Sequence, residues 1–103
     1  MWAQIMMMRL RPGRGDELPM LFEQVRAIEQ ADSGLLRTTA MRDQNDPERI
    51  VFLNVFESEE RARERERDPR REEGMQGIRA TMADIFDGPP EFIDLTVITE
   101  RSA

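Results

Sequence analysis

A chain of 103 residues with a net charge of −6 and no Cys, His, Tyr or Lys is one small domain, and the missing side chains exclude whole classes of chemistry. There is no disulfide framework or thiolate, no imidazole base, no haem or zinc site built on imidazole, and no Schiff base. All 15 basic residues are Arg, which stay protonated near neutral pH, so a site has to be made from carboxylates, amides, hydroxyls and guanidinium groups.

The first element is a strand over Ala3–Leu10. Its two faces, Gln4/Met6/Met8/Leu10 and Ala3/Ile5/Met7/Arg9, are both largely apolar, so both need cover. Arg11-Pro12-Gly13-Arg14-Gly15 breaks it. Asp16 is the expected N-cap of a helix, with Pro19 in the first turn, where a missing N–H is harmless. Leu18, Leu21, Phe22, Val25 and Ile28 share one face of that helix, and Ser33-Gly34 marks its end.

Leu35–Arg42 is predicted as a second strand, Asp43–Pro47 as a turn and Ile50–Glu57 as a third strand, together a hairpin. Glu59–Glu73 holds seven acids and six arginines in 15 residues. Pro69 divides it, giving a helix to about Arg67 and another from about Arg70 to Phe86, striped by Met75, Ile78, Met82 and Ile85/Phe86. Asp87-Gly88-Pro89-Pro90 terminates that helix, and Phe92–Thr99 is the last strand.

The order β-α-β-β-α-β is the split βαβ of a ferredoxin-like α+β fold: one antiparallel sheet with its helices on one face. The opposite face, with Ile5, Met7, Val51, Leu53 and Val55, has no cover within the chain. About six such side chains, at roughly 1.5–3 kcal/mol each, are too much apolar surface to leave wet, so a homodimer packed sheet on sheet is expected. The acidic balance argues against nucleic acid. No apolar run approaches the ~18 residues needed to span a bilayer, and the Met-rich start lacks the basic flank and cleavage site of a signal peptide. The expectation is a cytoplasmic protein without membrane contact.

Phe52, Asn54 and Phe56 fall on one face of the third strand. A buried amide has to find partners, so Asn54 either anchors a ligand oxygen or bonds a helix carbonyl or a water. The methionines of the first strand either line an adaptable apolar pocket or fill ordinary core. The alternating charges after Ser58 read as a solvated, salt-bridged helix from which one arginine reaches over the pocket. The expected lining is Gln4, Met6, Met8, Phe22, Asn54, Phe56 and Met82: a few polar anchors among apolar side chains, suited to a small, mostly apolar or aromatic molecule.

Arg11-Pro12-Gly13, the turn Asp43–Pro47, Val55-Phe56-Glu57-Ser58-Glu59-Glu60 and Asp68-Pro69, taken with the element order, resemble the antibiotic biosynthesis monooxygenase-like family of dimeric α+β barrel proteins. The resemblance spans residues 1–103 as one domain. It implies a homodimer with one pocket per subunit, and a cofactor-independent monooxygenase or a non-catalytic small-molecule-binding protein of the same fold. Quinone-forming members carry an Asn and a Trp four apart on strand three, where this chain has Phe52 and Phe56, with Asn54 between them. Haem-degrading members use an Asn on strand one, at Met6 here, and a His that this chain lacks, so the resemblance does not extend to haem degradation. No resident cofactor or metal is expected, and no catalytic base is apparent.

Overall fold

A computed structural model describes every residue from Met1 to Ala103. β1 (Trp2–Leu10) leads through a 3-10 turn at Gly15–Glu17 into α1 (Leu18–Ala27). The hairpin β2 (Leu35–Arg42) and β3 (Arg49–Phe56) follows, then α2 (Glu59–Arg67), α3 (Pro69–Ile85) and β4 (Phe86–Thr96). The strands make one antiparallel sheet in the order β2-β3-β1-β4, the ferredoxin-like α+β arrangement expected from the sequence.

The charged run folds as two helices with separate caps. Ser58 Oγ accepts the Arg61 N–H at 3.1 Å, and Asp68 Oδ1 accepts the Arg70 N–H at 2.9 Å. Pro69 is the first residue of α3, where its ring fits the helix and no N–H is missed.

Two boundaries differ from expectation. Asp16 is not the N-cap: it lies inside the 3-10 turn, and α1 starts one residue before Pro19 without a side-chain cap. α1 also stops at Ala27, because the chain tightens there through Glu29 N–H to Arg26 C=O at 3.2 Å. Gly34 therefore caps nothing. It sits at φ +82° in the loop before β2, and a Cβ there would come within 2.7 Å of the Arg61 Cβ.

The other difference is β4, which begins at Phe86 instead of Phe92 and ends at Thr96 instead of Thr99. Gly88-Pro89-Pro90 lies within the strand. β4 is a sheet edge, so prolines cost no internal ladder bond, and the pairing with β1 shifts register between Met7 and Arg9 to accommodate them.

All three helices pack on one face of the sheet. The main core joins Met8, Leu10, Ile50, Phe52 and Phe86 of the sheet to Leu18, Leu21, Ile78 and Ile85 of the helices. A smaller cluster of Trp2, Phe56 and Ala62 sits under α2. Gly74 brings α3 against the end of α1, since a Cβ there would lie 2.8 Å from Ile28 side-chain atoms. On the opposite face Ile5, Met7, Val51 and Leu53 are only half-buried, and Met41, Ile93 and Leu95 are exposed, but Val55, expected to lie uncovered with them, is buried at 5% exposure beside Ala3.

Candidate functional site

On the helix-facing side, cross-strand neighbours fall into rows set by the register. One row is polar across all four strands: Thr38 on β2, Asn54 on β3, Gln4 on β1 and Asp94 on β4. The next is apolar: Ala40, Phe52, Met6 and Phe92. Between this floor and the helices runs a groove of about 1350 Å³, roofed in part by Phe22, Val25, Met75 and Met82.

The polar row is internally bonded at both ends and open in the middle. Thr38 Oγ1 donates to Asn54 Oδ1 at 2.8 Å, and Gln4 Nε2 donates to Asp94 Oδ1 at 2.9 Å. Arg63 Nη2 donates to the other Asp94 oxygen at 2.9 Å. Asn54 Nδ2 and Gln4 Oε1 have no protein partner, which leaves one donor group and one acceptor side by side at the groove. Asn54 thus bonds neither a helix carbonyl nor any other part of the helical layer. Its one protein partner is a hydroxyl on the neighbouring strand.

Two carboxylates of the lining, Asp94 and Glu29, are held below their ordinary range. Hydrogen bonds from Gln4 and then Arg63 hold Asp94 below the usual Asp range. Burial pushes the Glu29 carboxyl up, but hydrogen bonds from Arg65 and Ser33 and the nearby positive charge outweigh it and leave the group below the usual Glu range. Arg65 reaches Glu29 through two bonds of 2.9 and 2.7 Å and also stacks over the Phe56 ring, 5.3 Å from its centroid. No three His, Cys, Asp or Glu side chains cluster to hold a metal ion.

Of the side chains expected from the sequence, Gln4, Met6, Met8, Phe22, Asn54 and Met82 all lie on this groove. Phe56 does not. It sits one row behind the polar row, is 2% exposed, and is sealed between Trp2 and Ala62 under α2, so it closes the end of the groove without lining it. Sequence alone missed Thr38, Asp94, Phe92 and Met75. Thr38 and Asp94 become legible only through cross-strand register; Met75 lay on the predicted apolar stripe of α3 and was available. Arg65 and Arg71 were hidden in a run whose other arginines make exposed pairs such as Arg63–Glu59 and Arg70–Asp32.

One antiparallel sheet with all helices on one face and a groove between them defines the class: a ferredoxin-like α+β domain. Within it, the sequence profile of antibiotic biosynthesis monooxygenases matches residues 1–80, and the chain belongs to that family. No curated protein matches by sequence. Among solved structures, a mutant of MhuD with two manganese protoporphyrin IX bound per active site superposes with a TM-score of 0.82 at 18% identity, over 100% of both chains. A mutant of SnoaB, a cofactor-independent oxygenase from Streptomyces nogalater, gives 0.72 at 15% identity, over 96% of this chain and 94% of that one. Rv0793 from Mycobacterium tuberculosis gives 0.70 at 18%, over 98% of each. At these identities the likeness is one of fold.

Proposed function

We propose that the protein is a cofactor-independent monooxygenase acting on a small, mostly apolar or aromatic substrate, with one groove per subunit of a homodimer. The observation that carries this reading is the apolar groove crossed by a polar row with its central donor and acceptor free. A flat phenol or enol fits against Met6, Phe52 and Phe22, with its oxygen at Asn54 Nδ2. In such a reaction the substrate anion supplies all four electrons to O₂. One oxygen atom becomes a new carbonyl on the ring and the other leaves as water. The chain's contribution is to hold the oxyanion: a donor aimed at developing negative charge in a water-poor site is commonly a large catalytic term.

The depressed proton affinity of Asp94 and Glu29 restricts the substrate. Neither of these two ion-paired carboxylates serves as a strong base, so the substrate has to be acidic enough to enter as its anion. The same fact favours the second reading, a binding protein of this fold that performs no chemistry. Iron porphyrin does not fit these residues: the chain has no His or Cys, and Met6 stands where haem-degrading relatives are expected to carry an amide.

The test is oxygen consumption. Polycyclic phenols that raise the melting temperature are expected to drive O₂ uptake well above uncatalysed autoxidation, with a quinone absorbance appearing in step. Binding without uptake would sink the oxygenase reading in favour of the binding protein.

Asn54→Ala is expected to weaken binding of such a phenol by about 1–2 kcal/mol, the scale of a lost donor in a partly desolvated site. The fold should survive, since Asn54 is half-buried and loses one bond to an exposed threonine. A variant that melts markedly lower, yet binds normally once folded, would make Asn54 a strut between strands. The outer sheet face supports the dimer. Met41, Ile93 and Leu95 are exposed there beside Ile5, Met7, Val51 and Leu53, and a second copy presents the same apolar surface. Light scattering is expected to give twice the 12.0 kDa chain mass; a monomer at micromolar concentration would contradict it.

A further inference from the structure

The groove of this acidic protein is basic. Arg26, Arg37, Arg63, Arg65, Arg71 and Arg79 border it against only three carboxylates, Glu29, Glu66 and Asp94, although the whole chain carries −6. Most of these arginines are satisfied by neighbours: Arg63 by Asp94 and Glu59, Arg79 by Glu72, Arg65 by Glu29. Arg37 pairs with Glu100, and Arg26 is unpaired but exposed to water; Arg71 is the one that is both half-buried and poorly paired. Its side chain is 21% exposed, and its Nη1 is buried with no hydrogen-bond partner. The nearest carboxylate oxygen, Glu29 Oε1, is 3.8 Å away and already bonded to Arg65 at 2.7 Å. Glu29 therefore faces two half-buried guanidinium groups, and the only other carboxylate acting on Arg71 is Glu66, which is already paired with Arg63. The only other buried side-chain atom without a partner is Gln24 Oε1, which is not on the groove lining.

A poorly paired half-buried cation is costly, and its cost is relieved by a counter-anion. Burial, and then repulsion from Arg65, act against the charged form of Arg71, yet a guanidinium stays protonated near neutral pH. It cannot escape by neutralising, as a lysine would.

We infer that Arg71 is an anion-binding residue of the groove, and that the natural ligand has a flat apolar body bearing an acidic group that pairs with the exposed part of its guanidinium. This rests on the groove being a ligand site. It deepens that reading by naming the ligand class: an aromatic or polycyclic acid, its body on Met6, Met75 and Met82 and its carboxylate or similar anion at Arg71. Gly74 builds the position. It lets α3 close on α1 at Ile28, which sets Arg71, one turn earlier, beside Glu29.

The test uses a matched probe pair differing by one sulfonate: neutral N-phenyl-1-naphthylamine and anionic 1-anilinonaphthalene-8-sulfonate, both fluorescent on entering apolar sites. The wild-type protein is expected to bind the sulfonate at least tenfold tighter than the neutral probe. Arg71→Met should remove most of that preference and leave the affinity for the neutral probe within about twofold. Arg67→Met, which deletes an exposed α2 arginine off the groove, controls for net charge and should keep the preference. Arg71→Met should also melt at or above the wild-type temperature, because a poorly paired, half-buried charge is gone; a structural role for Arg71 predicts the opposite. Equal affinity of the wild type for both probes, or equal loss of both in Arg71→Met, overturns the assignment while leaving the groove as a site. Failure of both probes to bind the wild type overturns the groove reading and the assignment with it.

Discussion

Ile85→Ala is expected to lower the stability of the protein by about 3–4 kcal/mol, within the range for deleting a fully buried isoleucine that leaves a cavity behind. Ile85 is 0% exposed and ends α3 against the main core. Its carbonyl also accepts the Arg11 N–H at 2.9 Å, which ties the end of α3 to the segment leaving β1. The neighbours are β-sheet side chains and Leu21, itself 2% exposed, and these collapse poorly into a void. Small domains hold roughly 5–15 kcal/mol in all, so the variant is left near the threshold of folding. Urea unfolding should show a lower midpoint at unchanged slope. A loss below about 1 kcal/mol would mean that α3 is not docked as described.

The second large effect is expected at Glu29. This carboxylate joins three parts of the fold: the turn that follows α1 carries it, Arg65 comes from α2, and Arg71 comes from α3. Glu29→Ala leaves two half-buried guanidinium groups facing each other with only the more distant Glu66 as counter-charge. Breaking a fully buried pair costs about 3–5 kcal/mol; with Glu29 20% exposed, about 2–3 kcal/mol is expected. The acid limb follows from the sign of the shift. The Glu29 carboxyl in the folded protein is held below its ordinary value, so its stabilisation is present above the unfolded pKa of about 4.3 and fades as pH falls through the lower folded value. Stability measured from pH 6 downward should therefore fall less steeply in Glu29→Ala than in the wild type. Parallel curves would show that Glu29 carries no linkage of its own.

The element types and their order were legible because each rests on local signals. β2 and α2 fall on the predicted residues, since a hairpin turn and a capped charged helix are written in consecutive side chains. Two of the boundary differences are tertiary. Gly34 looked like a helix stop, but it serves a loop pressed against Arg61. Pro89 and Pro90 looked incompatible with a strand, but edge position and a register shift admit them, and neither is visible without the sheet order. The site shows the same division. Strand alternation correctly placed Gln4, Met6, Met8 and Asn54 on one side. It could not tell that Phe56 is sealed by α2 while Phe52 remains on the groove, nor that Thr38 and Asp94 complete the polar row. Charge alternation hid Arg71, because its orphaned Nη1 depends on which of two arginines captures Glu29.

The central claim is that ligand enters on the helix side of the sheet, and β1 carries its own internal control. Met6 and Met8 face the groove while Met7, between them, faces the opposite side. The deciding measurement is a methyl spectrum of the protein labelled at its eight methionines, titrated with 1-anilinonaphthalene-8-sulfonate. The account predicts that the methyl signals of Met6, Met8, Met75 and Met82 move together with one affinity, while Met7 and Met41 stay still. Movement of Met7 and Met41 with Met6 and Met8 unperturbed would place the ligand on the outer sheet face and contradict it.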